Sequence, residues 1–475
     1  MKVLVVTGRK AYQTVKKAVG DSAEVLLLGV DVAAFVTPDL LRSIPNLDYD
    51  LILVPGLSSG DFSKLEKETG VKIRLGPKHA CDLDIVLSHV GTVEFSHTIP
   101  ACQLLSAKKY DEAVNKVNEL ERDAKYKFKL RDLKIGGNSV MKVMCEVVDA
   151  TRMQRDELLR VAHDFIAHGA DIIDLGVAMD ATPSEVINAT EAVSSLGIPI
   201  SIDTLDPDLI LAALEDIDMV LSLNSENIEA VGKAIADQGI AAVIIPDSDL
   251  GSLQRNIRLA QEIGIERIIA DPILRPIGQG LIDSLVSYYK FRQTSDLPLF
   301  FGVGNVTELM DADAIGINAT LAGMAMELDA SVLFTPQYSD KTSGSIYELK
   351  TAAQMMLLAR ARGTTPKDLG LDLLVIKEKR RRTSEIEISK PIKAKPHAFQ
   401  QDPKGCFSIA LQDGQIVAKH DDTSIIGTSA KAIFDTISDL GLVSMLEHAA
   451  YLGRELMKAE LALRFGRSYA QDDEF

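Results

Sequence analysis

GADIIDLG (169–176), IPISIDT (198–204), MVLSLN (219–224), RIIADP (267–272) and LPLFFGVGN (297–305) are five short apolar runs, and each carries a polar side chain at or beside its end: Asp174, Asp203, Asn224, Asp271 and Asn305. A polar group buried without a partner is costly, so the repetition marks these positions as the edge of a sheet where something meets them. Helix-length segments separate the runs, which is the alternation of a parallel β/α repeat. Working outward, VMKVMCEVV (140–148), IAAVIIP (240–246) and ASVLFTP (330–336) bring the strands to eight. Eight such units predict a closed (β/α)8 TIM barrel over residues 135–365, whose strand C-termini converge on one mouth that carries the chemistry. An open doubly wound sheet of the same elements is the structural alternative. Pro183 fits a helix start, and glycines such as Gly264 and Gly363 fit helix ends.

Composition bounds what the chain can do. At about 100–200 residues per domain, 475 residues hold several domains, and 46% hydrophobic residues are ample for a core. Acidic residues outnumber basic ones, 68 to 51, for a net charge of −17. Such a surface disfavours nucleic acid and anionic membranes as partners. No run approaches the ~18 apolar residues of a membrane span, and MKVLVVTG reads as a first strand rather than a signal segment. The expectation is a soluble, cytoplasmic protein. Cys81, Cys102, Cys145 and Cys406 are scattered, with neither a paired spacing nor a histidine at ligand distance. Neither a disulfide framework nor a structural zinc site is expected.

On either side of the barrel the pattern changes. KVLVVTG, EVLLLGV and DLILVPG alternate with helical stretches, which predicts a small doubly wound α/β domain, Rossmann- or flavodoxin-like, over 1–130. The turns Thr7-Gly8-Arg9 and Pro55–Gly60 read as ordinary glycine turns; an anion cradle is the alternative, and no G-x-G-x-x-G is present. The charge-rich stretch 108–134 reads as a connecting helix. Residues 377–400, with KEKRRR and a cluster of prolines, read as a linker. A C-terminal α/β domain over 401–475 follows, ending in a long helix with Met445, Ala449, Leu452, Leu456, Ala459 and Leu463 at helical spacing, which needs a surface to pack on.

A carboxylate accepts two hydrogen bonds side by side, and an asparagine offers both a donor and an acceptor. Together they complement a planar heterocycle with an amino group beside a ring N–H, such as a 2-amino-4-oxopterin. Mg²⁺ or Mn²⁺ is the rival ligand, since no histidine joins the cluster to recruit zinc or iron. Simple capping of strand ends is the structural reading.

GADIIDLG, PISIDT, SLN, ADPI and FGVGNVTE, in this order and spacing, resemble the pterin-binding barrel superfamily, which includes dihydropteroate synthases and methyltetrahydrofolate–corrinoid methyltransferases. The resemblance implies that Asp203, Asn224 and Asp271 hold the pterin edge, that Asp174 supports the pocket, and that Asn305 matches the asparagine methyltransferases place after the seventh strand. The Ser-Arg-Lys run of the synthases is replaced by Gly304-Asn305-Val306, and their Asp-Pro-Gly by Asp271-Pro272-Ile273. With its front domain and the tail HAAYLGRELMKAELALRFGRSYAQD, the whole chain is similar to dihydropteroate synthase-related proteins of methanogenic archaea and C1-oxidising bacteria. That similarity implies a role around tetrahydromethanopterin, in its biosynthesis or metabolism.

Two reactions fit the resemblance. A synthase releases (di)phosphate, which Arg275 and Lys341 near the sixth and eighth strand ends could bind, with Mg²⁺ accompanying a diphosphate substrate. A methyl transfer needs N5 protonated or hydrogen-bonded as the methyl leaves, a task for Asn305, with a corrinoid, on this chain or on a partner protein, as acceptor. A non-catalytic pterin-binding or assembly protein is the third reading. A homodimer is expected from the resemblance.

Overall fold

A computed structural model describes residues 1–44, 48–379, 381, 388–395 and 400–474. It comprises two compact units, Met1–Ser384 and Glu385–Phe475. Much of the sequence reading of a linker at 377–400 falls on residues 380, 382–387 and 396–399, outside the described residues.

The first unit opens with strands β1 (Val3–Thr7), β2 (Glu24–Leu27), β3 (Leu51–Val54) and β4 (Lys72–Leu75), all parallel in the order β2-β1-β3-β4. Their two faces bury separate clusters, one around Leu4, Val6, Ile52 and Ile73, the other around Val3, Val5, Leu51 and Leu53. That alternation is what a parallel sheet covered on both sides demands. The glycine turns here are packing devices. A Cβ on Gly8 would lie 2.8 Å from Ala33 N, and one on Gly56 would lie 2.5 Å from Gly76 O. The Arg9 and Lys10 amides already donate to Val30 O and Asp31 O, at 2.9 and 3.0 Å.

The charged connector is only partly helical. Helix Ala101–Arg122 is followed by a hairpin of β5 (Phe128–Leu130) and β6 (Leu133–Ile135). Arg131 takes φ 49° in the two-residue turn, as a tight hairpin requires. Leu130 and Ile135 are buried among the inward residues of the barrel, including Met144, Met219 and Val332. Arg131 Nε donates to Asp218 at 3.0 Å, just ahead of a barrel strand, so the hairpin covers the N-terminal end. The helix is anchored there too: Glu121 accepts from the buried Lys142 Nζ and from Val140 N, both at 2.7 Å.

The barrel itself has strands β7 (Lys142–Val147), β8 (Ile172–Gly176), β9 (Ile200–Asp203), β10 (Met219–Leu223), β11 (Ala241–Ile244), β12 (Ile268–Ala270), β13 (Leu299–Gly302) and β14 (Ala330–Thr335). They are parallel in sequence order and closed by β14 pairing with β7. The architecture is therefore the (β/α)8 barrel, not the open sheet. Alternate strand residues face in (Met144, Leu221, Val243, Ile269) and out against the helices (Val143, Val220, Ala242, Ile268), as the two-residue period requires. Capping boxes at Thr182/Glu185 and Asp249/Ser252 start two of the helices, and Gly239, Gly264 and Gly363 end three in the left-handed conformation.

The second unit pairs β15 (Ser408–Gln412), β16 (Gln415–His420) and β17 (Thr423–Gly427) antiparallel. Helices Ala430–Asp439 and Leu446–Phe465 pack on this sheet through Ile433, Ile437, Leu452, Leu456 and Ala459. Asp402, 3% exposed, accepts bonds from Lys404 N, Ser444 N and Oγ, Met445 N and His448 Nδ1. Burial works to raise its pKa, but these donors outweigh burial and hold the carboxyl well below the usual range. His448 is thus part of the knot that starts the long helix.

Candidate functional site at the barrel mouth

The polar residues reach the mouth because each strand ends where its apolar run ends. Asp203 is the last residue of β9, Asn224 and Asp271 directly follow β10 and β12, and Asn305 lies three residues past β13. Asp174 sits within β8, fully buried. Ser201 Oγ donates to its Oδ1, while Oδ2 has no partner. Glu146, near the end of β7, is the member that reading the sequence missed. It lies opposite Asp174 in register, and its one sequence signal is a carboxyl inside the apolar run VMCEVV.

The electrostatics follow from burial without compensating cations. Burial, then the Glu146 carboxylate, pushes Asp203 up to about 7. Burial, then Asp203 and Glu146, raises Asp174 well above the carboxylate range against the opposing Ser201 bond. Burial and Asp149 raise Glu146. Asp271 is pushed up to about 6 by burial, partly offset by Tyr288 and Ile273. Lone buried carboxyls behave this way because the charged form loses its water.

Asp271, Asn224 and Asn305 are each oriented by a partner. Asp271 Oδ1 accepts from the buried Tyr288 hydroxyl at 2.6 Å and from Ile273 N at 2.8 Å, which leaves Oδ2 uncommitted. Ile273 holds φ 66°, a left-handed conformation that a β-branched residue adopts only under constraint. Asn224 is held by Asn227: its N donates to Asn227 Oδ1 at 3.0 Å, and Asn227 Nδ2 donates to Ser222 O and Leu205 O at 3.1 Å. Asn224 Oδ1 accepts from Glu226 N at 3.0 Å, so its amide NH2 is uncommitted. Asn305 folds back over Gly302, where a Cβ would lie 3.1 Å from Nδ2, and donates to Leu274 O at 2.8 Å. Its Oδ1 is uncommitted. Tyr288 and Asn227 are distant in sequence or look like ordinary helix residues, and carried no signal.

The two cations differ in placement. Arg275 lines a cleft of about 300 Å³ between the loops after β11 and β12, with Asp247, Asp283 and Ile273. Lys341 lies in the 3-10 turn Asp340–Thr342 and pairs with the exposed Asp311 at 2.9 Å. The structure does not bring Lys341 to the carboxyls. Among the described residues no three His, Cys, Asp or Glu side chains are grouped to hold a metal ion.

The chain holds a closed parallel (β/α)8 barrel with a polar mouth, and three family models match along its length. Residues 2–78 match a family of unknown function (DUF6513), 140–298 the CO dehydrogenase/acetyl-CoA synthase delta subunit, and 401–472 the PterinBD-DUF4346 family. The chain belongs to the family of the Methanocaldococcus jannaschii protein named "Uncharacterized protein MJ0107", with 36% identity over 99% of this chain and 98% of that one. It is also 26% identical to the acetyl-CoA decarbonylase/synthase complex subunit gamma 2 of Methanosarcina thermophila, over 44% of this chain and half of that subunit's length. A solved Yersinia pestis DHPS with a pterine-sulfa conjugate aligns over 50% of this chain and 98% of its own, at 18% identity and a TM-score of 0.40. No helix among the described residues is long and apolar enough to cross a membrane.

Proposed function

We propose that the barrel mouth binds a reduced pterin of the tetrahydromethanopterin type and serves transfer of a one-carbon group from it. Asp203 and Asp271 would accept from the ring's amino and N–H groups, with the Asn224 amide donating to a ring acceptor and Asp174 supporting Asp203 from below. The observation that supports this most is the set of polar atoms left uncommitted at one mouth: both oxygens of Asp203, Asp271 Oδ2, the Asn224 NH2 and Asn305 Oδ1. They form a row of acceptors with one donor among them, which complements an aminopterin edge.

The charge of the mouth favours methyl transfer over the synthase reaction. A leaving diphosphate needs cations, whereas the groups around this mouth are carboxyls, Lys341 is paired elsewhere and Arg275 lies in the flanking cleft. In methyl transfer Asn305 would hold the N5 region as the methyl departs and a proton comes to N5. The acceptor, a corrinoid on a separate protein, supplies the nucleophile. The matches to subunits of an acetyl-CoA decarbonylase/synthase complex support this reading. Arg275 and its cleft support the synthase as the second reading.

Calorimetric titration with tetrahydromethanopterin, its methyl derivative and a dihydropterin diphosphate, each with and without cobalamin, tests the proposal. Tight binding of the methylated reduced pterin, lost in Asp271→Asn, is the expected result. Binding of the diphosphate alone would favour the synthase. Absence of binding by all three would overturn the pterin reading.

A further inference from the structure

Glu146 stands on β7, two strands away from Asp203 on β9, yet acts on it more strongly than any other charged group does. The strand between explains how. Gly176 of β8 is the register partner of Asp203, and a Cβ on Gly176 would fall 2.4 Å from Glu146 Oε1 and 3.2 Å from Val147 O. The backbone at Gly176 is not left-handed, so glycine is needed here for space. The Glu146 side chain crosses β8 at the one residue without a side chain and brings its carboxyl toward the Asp203 carboxyl. Neither carboxyl has a hydrogen-bond partner among the described residues, and beneath them lies Asp174 with Oδ2 buried and unpartnered. The charged groups facing the pair are themselves carboxyls: Asp149 after β7 and Asp174 from β8.

We propose that Glu146 and Asp203 form a carboxyl pair that shares one proton, with Glu146 taking it when Asp203 engages the N–H groups of the bound ring. This rests on the pterin reading of Asp203. The step is a transfer of one proton from Asp203 to Glu146, with no net exchange with solvent. It leaves Asp203 as an anionic acceptor and presents a neutral O–H from Glu146 where the mouth otherwise offers only the Asn224 amide as a donor. Two carboxyls brought together without a cation resist ionising together. Asp174 and Ser201 are positioning residues beneath the pair.

The test compares wild type with Glu146→Gln, which keeps the shape and removes the charge. In the free protein, the carboxyl band in infrared titration should show Asp203 ionising at lower pH in Glu146→Gln, by about one unit. The acid limb of tetrahydromethanopterin affinity, followed by calorimetry, should move down by the same amount. A merely structural role would alter affinity at all pH values and leave the limb in place. An unmoved titration in the free protein overturns the pair whether or not any pterin binds. A moved titration with no binding of tetrahydromethanopterin upholds the pair and sinks the pterin reading. If Glu146→Gln fails to fold, Gly176→Ala, which displaces the Glu146 carboxyl, should produce the same downward shift, and its absence overturns the proposal.

Discussion

Asp203 shows how a buried carboxyl burdens the fold. Burial and the Glu146 carboxylate hold its pKa at about 7, against about 3.9 for an exposed aspartate, so the native state binds more protons than the unfolded chain between about pH 4 and 7. Stability contributed at this site therefore falls as pH rises through that window. Asp203→Asn removes the burden: it should stabilise the protein at pH 8 by about 2–4 kcal/mol, with the gain shrinking toward pH 4 in denaturant titrations, while pterin affinity drops. Asp271 makes the complementary case. If its charged form accepts from the ring, affinity should fall as pH drops through about 6. Tyr288→Phe removes a donor that favours the anion, so that midpoint should move upward, and an unchanged midpoint would deny Tyr288 its orienting role. Asp271 was legible as a polar residue ending an apolar run. Tyr288 was not, since nothing local distinguishes an orienting tyrosine from a core one.

At the level of elements, the hairpin β5–β6 carries the clearest lesson. KFKLRDLKI (127–135) alternates apolar and charged residues, the two-residue period of a half-buried strand pair. Its charge density nevertheless reads as helix when the neighbouring helix runs straight into it. Because Leu130 is 1% exposed and completes the barrel interior, Leu130→Ala should cost about 2–5 kcal/mol, measured by urea unfolding. A cost below about 1 kcal/mol would mean that the hairpin does not seal the barrel. The same base holds Lys142 against Glu121. Truncating Glu121 to Ala leaves a buried ammonium unpaired and should cost about 3–5 kcal/mol, whereas Lys142→Met with Glu121→Gln should recover most of that loss.

For the whole molecule, the unit Glu385–Phe475 encloses its own cluster of Phe407, Ile409, Ile416, Ile433, Leu452 and Leu456. A fragment of residues 401–475 should therefore unfold cooperatively on heating, with the modest stability expected of a domain this small; a broad, non-cooperative melt would contradict it. Within the barrel, the alternation of strands and helices, the eight-unit count and the polar strand ends were determined by the sequence alone, because hydrophobic period and helix punctuation are local properties that no distant contact has to supply. Closure of the barrel and the crossing of Glu146 over Gly176 to Asp203 were decided only in the tertiary structure. So were the anchoring of Asp271 by Tyr288 and the diversion of Lys341 to Asp311. Each of these depends on residues 17 or more positions apart being brought within contact, and the energy of a buried charge depends on which neighbours the fold places around it rather than on the residue itself.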